Sequence, residues 1–204
     1  MAVYSLTTFS QIKDNLAALI PVYTNQGGNS TLIITKGGKE LLDERTVTWI
    51  LHKIAQLYFF NVEAARDHYG SLLAKAKNIP LPFSLGLTMI PLPLRKARVR
   101  GDKTTGFLVL EEIESIEPGK KETCVTLRCQ KQIPVYLSSK VAEQRIKEGK
   151  LVQQLFTHQF LPGYTLTSDT FAPGGQQLVA EKEEMEYLAR TFVQILWHKA
   201  SHLK

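Results

Sequence analysis

The fold is decided by TLIITKGGKELLDERTVTWILHKIAQL, residues 31–57, in which a short β-type run is followed by helical spacing. The first five residues are mostly β-branched, and the Lys-Gly-Gly-Lys turn at 36–39 separates them from Leu41 and Leu42, which predicts a β-hairpin. After Asp43 the apolar residues form a wide stripe at helical spacing, which predicts an amphipathic helix packed on the sheet. The stripe consists of Val47, Ile50, Leu51, Ile54, Leu57 and Tyr58.

Helical spacing also occurs on both sides of this stretch. Apolar residues at positions 9, 12, 16 and 19 predict a short amphipathic helix that ends at Pro21. A second helix is predicted from Asn61 toward Ala76, and Gly70 marks a weak point because glycine in a helix interior costs roughly 1 kcal/mol.

Proline-rich and strand-like segments follow. Four prolines interrupt the apolar residues 79–94 and favour an edge strand or extended arm, since proline cannot donate to a sheet. Two strands, 107–116 and 122–129, are predicted on either side of a Glu-Pro-Gly-Lys turn, and a third at 133–137. The interrupting prolines are Pro80, Pro82, Pro91 and Pro93.

Two helices separated by a loop are predicted in the C-terminal part of the chain. The first runs over residues 140–156, with Ser138 or Ser139 as its cap, and is weakened by Gly149. The last is opened by glutamates from Glu181 onward and could pack on the core or on another subunit. The whole order predicts an α+β fold, an antiparallel sheet partly covered by helices. Residues 1–156 form the predicted core, and 157–204 a loop plus C-terminal helix whose membership in the same domain stays open.

Composition and charge restrict the class of protein. The chain of 204 residues is 44% hydrophobic, which excludes disordered, collagen-like and disulfide-scaffold classes. Its net charge of +6 lies mostly in residues 95–150, where 13 basic residues face 8 acidic ones, a local excess of +5. The two cysteines are expected to be reduced, and no signal peptide or membrane span is expected, so a cytoplasmic location is predicted.

Catalytic and cofactor motifs are incomplete. Residues 101–106 begin like a phosphate-binding loop, but Phe107 and Leu108 occupy the positions of the required Lys and Ser or Thr. His198 and His202 share a helical face without a third metal ligand, and no Gly-x-Ser-x-Gly occurs. No catalytic residue, metal or cofactor is assigned, and the protein is expected not to be an enzyme.

The strongest local signal is RKARVRGDK, residues 95–103, with five basic residues among nine. If this segment is extended, Arg98 and Arg100 project to one face and can follow a phosphate backbone or enter the minor groove of A·T-rich DNA. The surface is positive only if Glu111, Glu112, Glu114 and Glu117 face elsewhere. The predicted DNA-binding residues are Arg95, Lys96, Arg98, Arg100 and Lys103, extended by Lys120, Lys121, Arg128 and Lys131.

Several segments, taken in order, resemble the competence transcription factor (ComK-like) family of low-GC Gram-positive bacteria. They are LLDER at 41–45, YFFN at 58–61, NIPL at 78–81, MIPL at 89–92 and IPVYLS at 133–138. The resemblance implies a transcriptional activator that binds paired A·T-rich boxes in double-stranded DNA, largely through the minor groove, as a homo-oligomer.

The same resemblance implies delivery to proteolysis by an adaptor that reads a short segment before the last helix. Phe171, Ala172 and Pro173 occupy that place without the full motif. Ile90-Pro91-Leu92 replaces the family's aromatic-Pro-Thr.

Three other functions stay open from the residues alone. An RNA-binding module would stack bases on aromatic residues such as Tyr136 beside the basic face. A protein-interaction domain would use exposed apolar residues of the last helix. An enzyme would need a deep pocket with convergent polar groups.

Overall fold

The computed structural model describes residues 12–24, 28–119 and 122–160. It contains two antiparallel sheets and three helices, which confirms the α+β prediction. The strands are β1 Leu16–Tyr23, β2 Asn29–Thr35, β3 Glu40–Asp43, β4 Leu81–Ser84, β5 Leu87–Pro93, β6 Thr105–Val109, β7 Ile113–Pro118, β8 Thr123–Leu127 and β9 Gln132–Val135. The helices are α1 Val47–Leu57, α2 Val62–Leu72 and α3 Ser139–Phe160.

The larger sheet has six strands in the order β3-β2-β1-β6-β5-β4, and both of its faces are covered. Alternation along β1 and β2 explains how. Leu19 and Ile33, which pair, belong to the apolar cluster that contains α1 and α2. Ala18 and Ile34, the neighbouring pair, belong to the cluster that contains the three-stranded sheet β7-β8-β9. The large sheet therefore lies between a helical layer and a second sheet.

Helix α3 contributes to both apolar clusters, Val152 to the helical one and Ile146 to the one between the sheets. Gly149, between them, is required by packing, because a Cβ atom there would lie 2.7 Å from Cδ1 of Ile90. The residue that weakens the helix in isolation thus allows its close approach to β5. The helix continues to Phe160, past the domain boundary predicted at 156. The chain divides into units 1–164 and 165–204, and every described residue belongs to the first.

The helix predicted over residues 9–19 is wrong from Leu16 onward, where the chain forms β1. Leu16 through Leu19 are all completely buried, because β1 lies between β2 and β6 and is covered on both faces. A strand buried on both faces reads as a continuous apolar run, so the spacing of its leucines carried no helical information. Pro21 fits in β1 because it lies beyond the two residues that pair with β6.

The proline-rich segment forms two strands, and only β4 is an edge strand as predicted. β5 lies between β6 and β4, but β4 pairs only with residues 87–89. Pro91 and Pro93 lie beyond that pairing, with β6 on one side. Their carbonyl oxygens accept hydrogen bonds from Nη1 of Arg145 (3.0 Å) and the amide of Tyr136 (3.0 Å). The proline half of β5 is therefore an edge that α3 and the segment after β9 complete.

The strand predicted at 107–116 is two strands in different sheets. A 3-10 turn, Leu110–Glu112, carries the chain from β6 to β7, and Leu110 is buried between the sheets. The strands predicted near 122–129 and 133–137 are β8 and β9, and the hairpin and helix of residues 31–57 are β2, β3 and α1. Helix α2 ends at Leu72, short of Ala76. The helix predicted from Glu181 lies outside the described residues.

Candidate nucleic-acid interface

The connection between β5 and β6, residues 95–104, is called the basic loop. Its base is closed by a hydrogen bond from the Leu94 amide to the Thr104 carbonyl, 2.9 Å. Gly106 lies directly behind that base, where a Cβ atom would overlap the Leu19 carbonyl oxygen and lie 2.7 Å from Cδ1 of Leu94. The loop therefore emerges from a tightly packed junction of β1, β5 and β6.

The basic loop is not extended, so the predicted alternation of Arg98 and Arg100 along a strand does not occur. The amide of Asp102 donates to the carbonyl of Val99 at 3.3 Å, and Gly101 has a φ of +95°. Such a turn requires the conformation that glycine adopts without strain. The turn places Arg100 at the tip of the loop.

The carboxylate of Asp102 holds the loop in this shape. Its Oδ2 accepts hydrogen bonds from the amides of Arg98 (2.9 Å) and Val99 (3.1 Å) and from the hydroxyl of Tyr23. These bonds, the Tyr23 bond foremost, lower the pKa of Asp102 below its usual range. The acid of the basic loop is therefore bound to amides and a phenol, and no ion pair between it and an arginine side chain occurs among the described residues.

Arg95 is only 8% exposed, unlike the other predicted DNA-binding residues of the loop. Its guanidinium donates to the Val22 carbonyl (3.3 Å) and to Oδ1 of Asn29 (2.8 Å) and lies over the ring of Tyr23, 4.0 Å from the centroid. A buried arginine must find acceptors in the protein, and β1 and β2 supply them. Arg95 therefore anchors the loop to the large sheet.

The other predicted cations of the loop are exposed: Lys96, Arg98, Arg100 and Lys103. The guanidinium of Arg98 lies 4.1 Å from the centroid of the Tyr23 ring, and Nζ of Lys96 lies 5.1 Å from that of Tyr136. Lys96 also lies 3.9 Å from Oε2 of Glu122, with its side chain 74% exposed. Within the described chain, no side-chain hydrogen bond or ion pair holds Arg100 or Lys103.

Arg128 and Lys131 lie away from the basic loop, at what we call the far end of the sheets. The amide of Arg128 donates to the carbonyl of Glu112 (2.8 Å), and Nζ of Lys131 donates to Oε1 of Glu40 (2.6 Å). The basic loop and Glu122 mark the opposite end, called the loop end. A continuous surface from the loop to Arg128 and Lys131 is therefore wrong. Lys120 and Lys121 lie outside the described residues.

Three of the four opposing glutamates face away from the basic loop, as a positive surface requires. Glu111 accepts from the amide of Thr88 (3.1 Å), and burial raises its pKa. Glu112 is buried 3.8 Å from Nζ of Lys36, and Glu114 accepts from Nε2 of Gln130 at 2.6 Å. Glu117 is exposed.

A cleft of about 380 Å³ opens beside the loop. Its floor is apolar, and Tyr23, Tyr136 and the first four residues of the basic loop complete its lining. Sequence reasoning named the cations of this region but missed Tyr23 and Asp102, which give the loop its shape.

Other candidate sites are not assembled in the described part of the chain. Gly106 pairs with Leu92 in the sheet, so residues 101–106 do not form a phosphate-binding loop. No three metal-ligating side chains gather among the described residues, and His198 and His202 lie outside them. Cys124 and Cys129 are free thiols.

None of the helices that the structure describes combines the length and hydropathy needed to cross a membrane.

Comparison with known proteins finds no matching family model, no curated protein and no solved structure. The resemblance to competence transcription factors stays a prediction from the motifs.

Proposed function

We propose that this protein binds double-stranded DNA through the basic loop and acts as a transcriptional regulator. The observation that carries the proposal is the use of Asp102 by the backbone of the loop. Because its carboxylate accepts from two amides and a phenol, it leaves the exposed cations available to an external anion. A phosphate backbone is the polyanion that such a cluster contacts.

The four exposed cations lie on a loop of fixed shape, which favours DNA over a merely solvated surface. Arg95 and Asp102 anchor the loop, so less conformational entropy is lost on binding than for a flexible basic segment. Arg100 and the 65% exposed Val99 form the tip, where the Arg100 side chain is free to enter a groove. Arginine prefers the narrow, strongly negative minor groove of A·T-rich DNA, so we propose A·T-rich sites.

The regulatory role, activation in particular, rests on the ordered motifs that resemble competence transcription factors. A cytoplasmic homo-oligomer that reads paired boxes is part of the same proposal. Proteolysis through an adaptor is not included, because residues 171–173 lack the complete motif.

The proposal is tested by measuring affinity for A·T-rich and G·C-rich duplexes over a salt series. With four phosphate contacts, the plot of log K against log[salt] should have a slope of about −3.6. Arg100→Ala with Lys103→Ala should reduce the slope to about −1.8. The A·T-rich duplex should bind more tightly than the G·C-rich one.

A matched control removes two exposed cations elsewhere, Lys39→Ala with Arg66→Ala. This variant has the same net charge as the loop variant and should keep the wild-type slope. Equal slopes for all three proteins, or no binding at low salt, would refute the proposed function.

A further inference from the structure

We propose that the cleft beside the basic loop binds a single nucleotide unit, a planar base carrying a phosphate. The cleft lies between the first residues of the loop and Tyr136, over the end of β1. This site is separate from the tip of the loop, where Arg100 and Lys103 lie outside the lining of the cleft.

The floor and one wall suit a planar ring. Ile20, Pro21 and Leu94 provide apolar surface at the floor. Tyr136 is half-buried, and the amide of Tyr136 donates to the Pro93 carbonyl at 3.0 Å, which fixes its position. A base stacks on such a ring without sequence preference, because every base has a π face.

The charges in the cleft suit a phosphate. Lys96, Arg98 and Arg95 all line it, and no acidic residue is among its described lining. Arg95 is buried and forms no ion pair within the described chain, and its Nε has no hydrogen-bond partner there. The guanidinium donates only to neutral oxygens, those of Val22 and Asn29, so its charge would attract a phosphate in the cleft.

Lys96 connects the two halves of the site. Its ammonium lies 5.1 Å from the Tyr136 centroid, and its side chain is largely exposed. When a base stacks on the Tyr136 ring, the ammonium of Lys96 can move to the phosphate while the aliphatic part of its side chain stays in the cleft. The pairing with Glu122 at 3.9 Å is exposed and offers little resistance to that movement.

The size of the cleft limits the ligand. About 380 Å³ lies near the lower end of the range for small-molecule sites, which suits one base with its phosphate better than a base pair or a dinucleotide cofactor. A nucleotide unit has two possible sources, a free mononucleotide or an unpaired nucleotide of a strand. The shared chemistry is one base and one phosphate, and separate probes distinguish the sources.

The first experiment titrates the full chain with dTMP, thymidine and ribose 5-phosphate and follows binding by calorimetry. We expect dTMP to bind roughly 10-fold or more tighter than thymidine, because its phosphate forms charge-assisted hydrogen bonds. Tyr136→Leu should weaken dTMP binding by roughly 5- to 150-fold and leave ribose 5-phosphate unchanged, because only the base stacks.

The second variant is Lys96→Ala. Because the Lys96 side chain is exposed, this substitution should not destabilise the fold. It should weaken dTMP and ribose 5-phosphate alike, whereas the control Lys39→Ala at the far end should weaken neither. Tyr136→Phe keeps the ring and should bind dTMP like the wild type.

The second experiment replaces dTMP by a duplex with one bulged 2-aminopurine and compares it with a fully paired duplex. If the wild-type protein quenches the 2-aminopurine fluorescence and Tyr136→Leu does not, the site binds an unpaired nucleotide of a strand. The proposal is supported when either probe binds with dependence on Tyr136 and Lys96. It is overturned when neither probe binds, or when both variants bind like the wild type.

The two proposals fail separately. Arg100→Ala with Lys103→Ala should lose affinity for paired duplex yet keep dTMP binding, because neither residue lines the cleft. A chain that binds paired duplex but neither probe would leave the proposed function intact and reject the nucleotide site.

Discussion

Both ends of the sheets carry basic turns, but the two ends use their acids differently. At the far end two acids meet cationic side chains, Glu112 with Lys36 and Glu40 with Lys131, and Glu114 accepts from Gln130. At the loop end Asp102 accepts from amides and a phenol instead. Lys36 and Lys131 at the far end are therefore paired with carboxylates, whereas among the four exposed cations of the basic loop only Lys96 lies near one, that of Glu122. Pairing, and not the number of basic residues, therefore decides where the field of a protein is directed.

The largest effect should come from adding one methyl group behind the loop. Gly106→Ala would place a Cβ atom 2.7 Å from Cδ1 of Leu94 and against the Leu19 carbonyl oxygen, which cannot move without shifting β1. Overpacking of this kind costs about 2–4 kcal/mol of the free energy of unfolding. Urea unfolding measures that loss, and duplex affinity should fall with it.

The far end supplies the matched substitution. Gly37 lies in the β2–β3 turn, where a Cβ atom would have no neighbouring atom within 4 Å, and its φ is not positive. Gly37→Ala should change the free energy of unfolding by less than about 0.5 kcal/mol. Similar losses for the two alanines would show that the loop base is not the tighter junction.

Much of the fold followed from the sequence where several local patterns agreed. The hairpin and α1 were predicted because β-branched residues, a glycine turn and a helical stripe all agreed. β1 was misassigned because its two faces are buried by the helices and by the second sheet, all of which lie later in the chain. The break between β6 and β7 was also missed, since no glycine or proline interrupts residues 107–116 and only tertiary packing separates the two strands.

The site was predicted less completely than the fold. Counting charges located the basic loop, and its exposed cations are four of the five predicted there. Counting could not show that Arg95 is buried, because its acceptors come from β1 and β2. Asp102 beside Gly101 was a visible turn signal, yet its effect depends on Tyr23, whose proximity only the sheet creates.

An intermediate effect should follow from loosening the shape of the loop. Asp102→Asn keeps the size of the side chain but removes the charge that strengthens its bonds to the Arg98 and Val99 amides. We expect duplex affinity to fall by roughly 3- to 10-fold, because a looser loop loses more entropy on binding. The free chain should show faster amide exchange at Arg98 and Val99. Unchanged exchange with reduced affinity would contradict this explanation.

The pH dependence of the same contact tests it without a mutation. Bonding lowers the pKa of Asp102 below 3.8, its usual value. A depressed pKa in the folded state means that the contact stabilises the loop above pH 3.8 and is lost as the pH falls through the folded value. NMR shifts of the Arg98 and Val99 amides should therefore stay constant from about pH 7 to 4. A midpoint above pH 3.8 in the titration of these shifts would show that the Asp102 carboxylate does not accept the two amide hydrogen bonds.

The smallest effect is expected at the far end, where the Lys131–Glu40 pair is formed but exposed. The hydrogen bond and charge of Glu40 raise the pKa of Lys131 above 10.5. A raised folded pKa means that this contribution is complete below pH 10.5 and is lost only as the pH rises through the folded value.

At neutral pH the pair is therefore intact, but water and salt screen it and ordering two long side chains offsets the attraction. At about pH 7 and about 0.15 M salt, Lys131→Ala should not measurably change the midpoint of thermal unfolding. Its duplex affinity should equal that of the wild type. A loss of affinity as large as that of the Arg100 and Lys103 variant would mean that DNA also reaches the far end. The contrast between the two ends would then reflect local pairing alone and would no longer mark the interface.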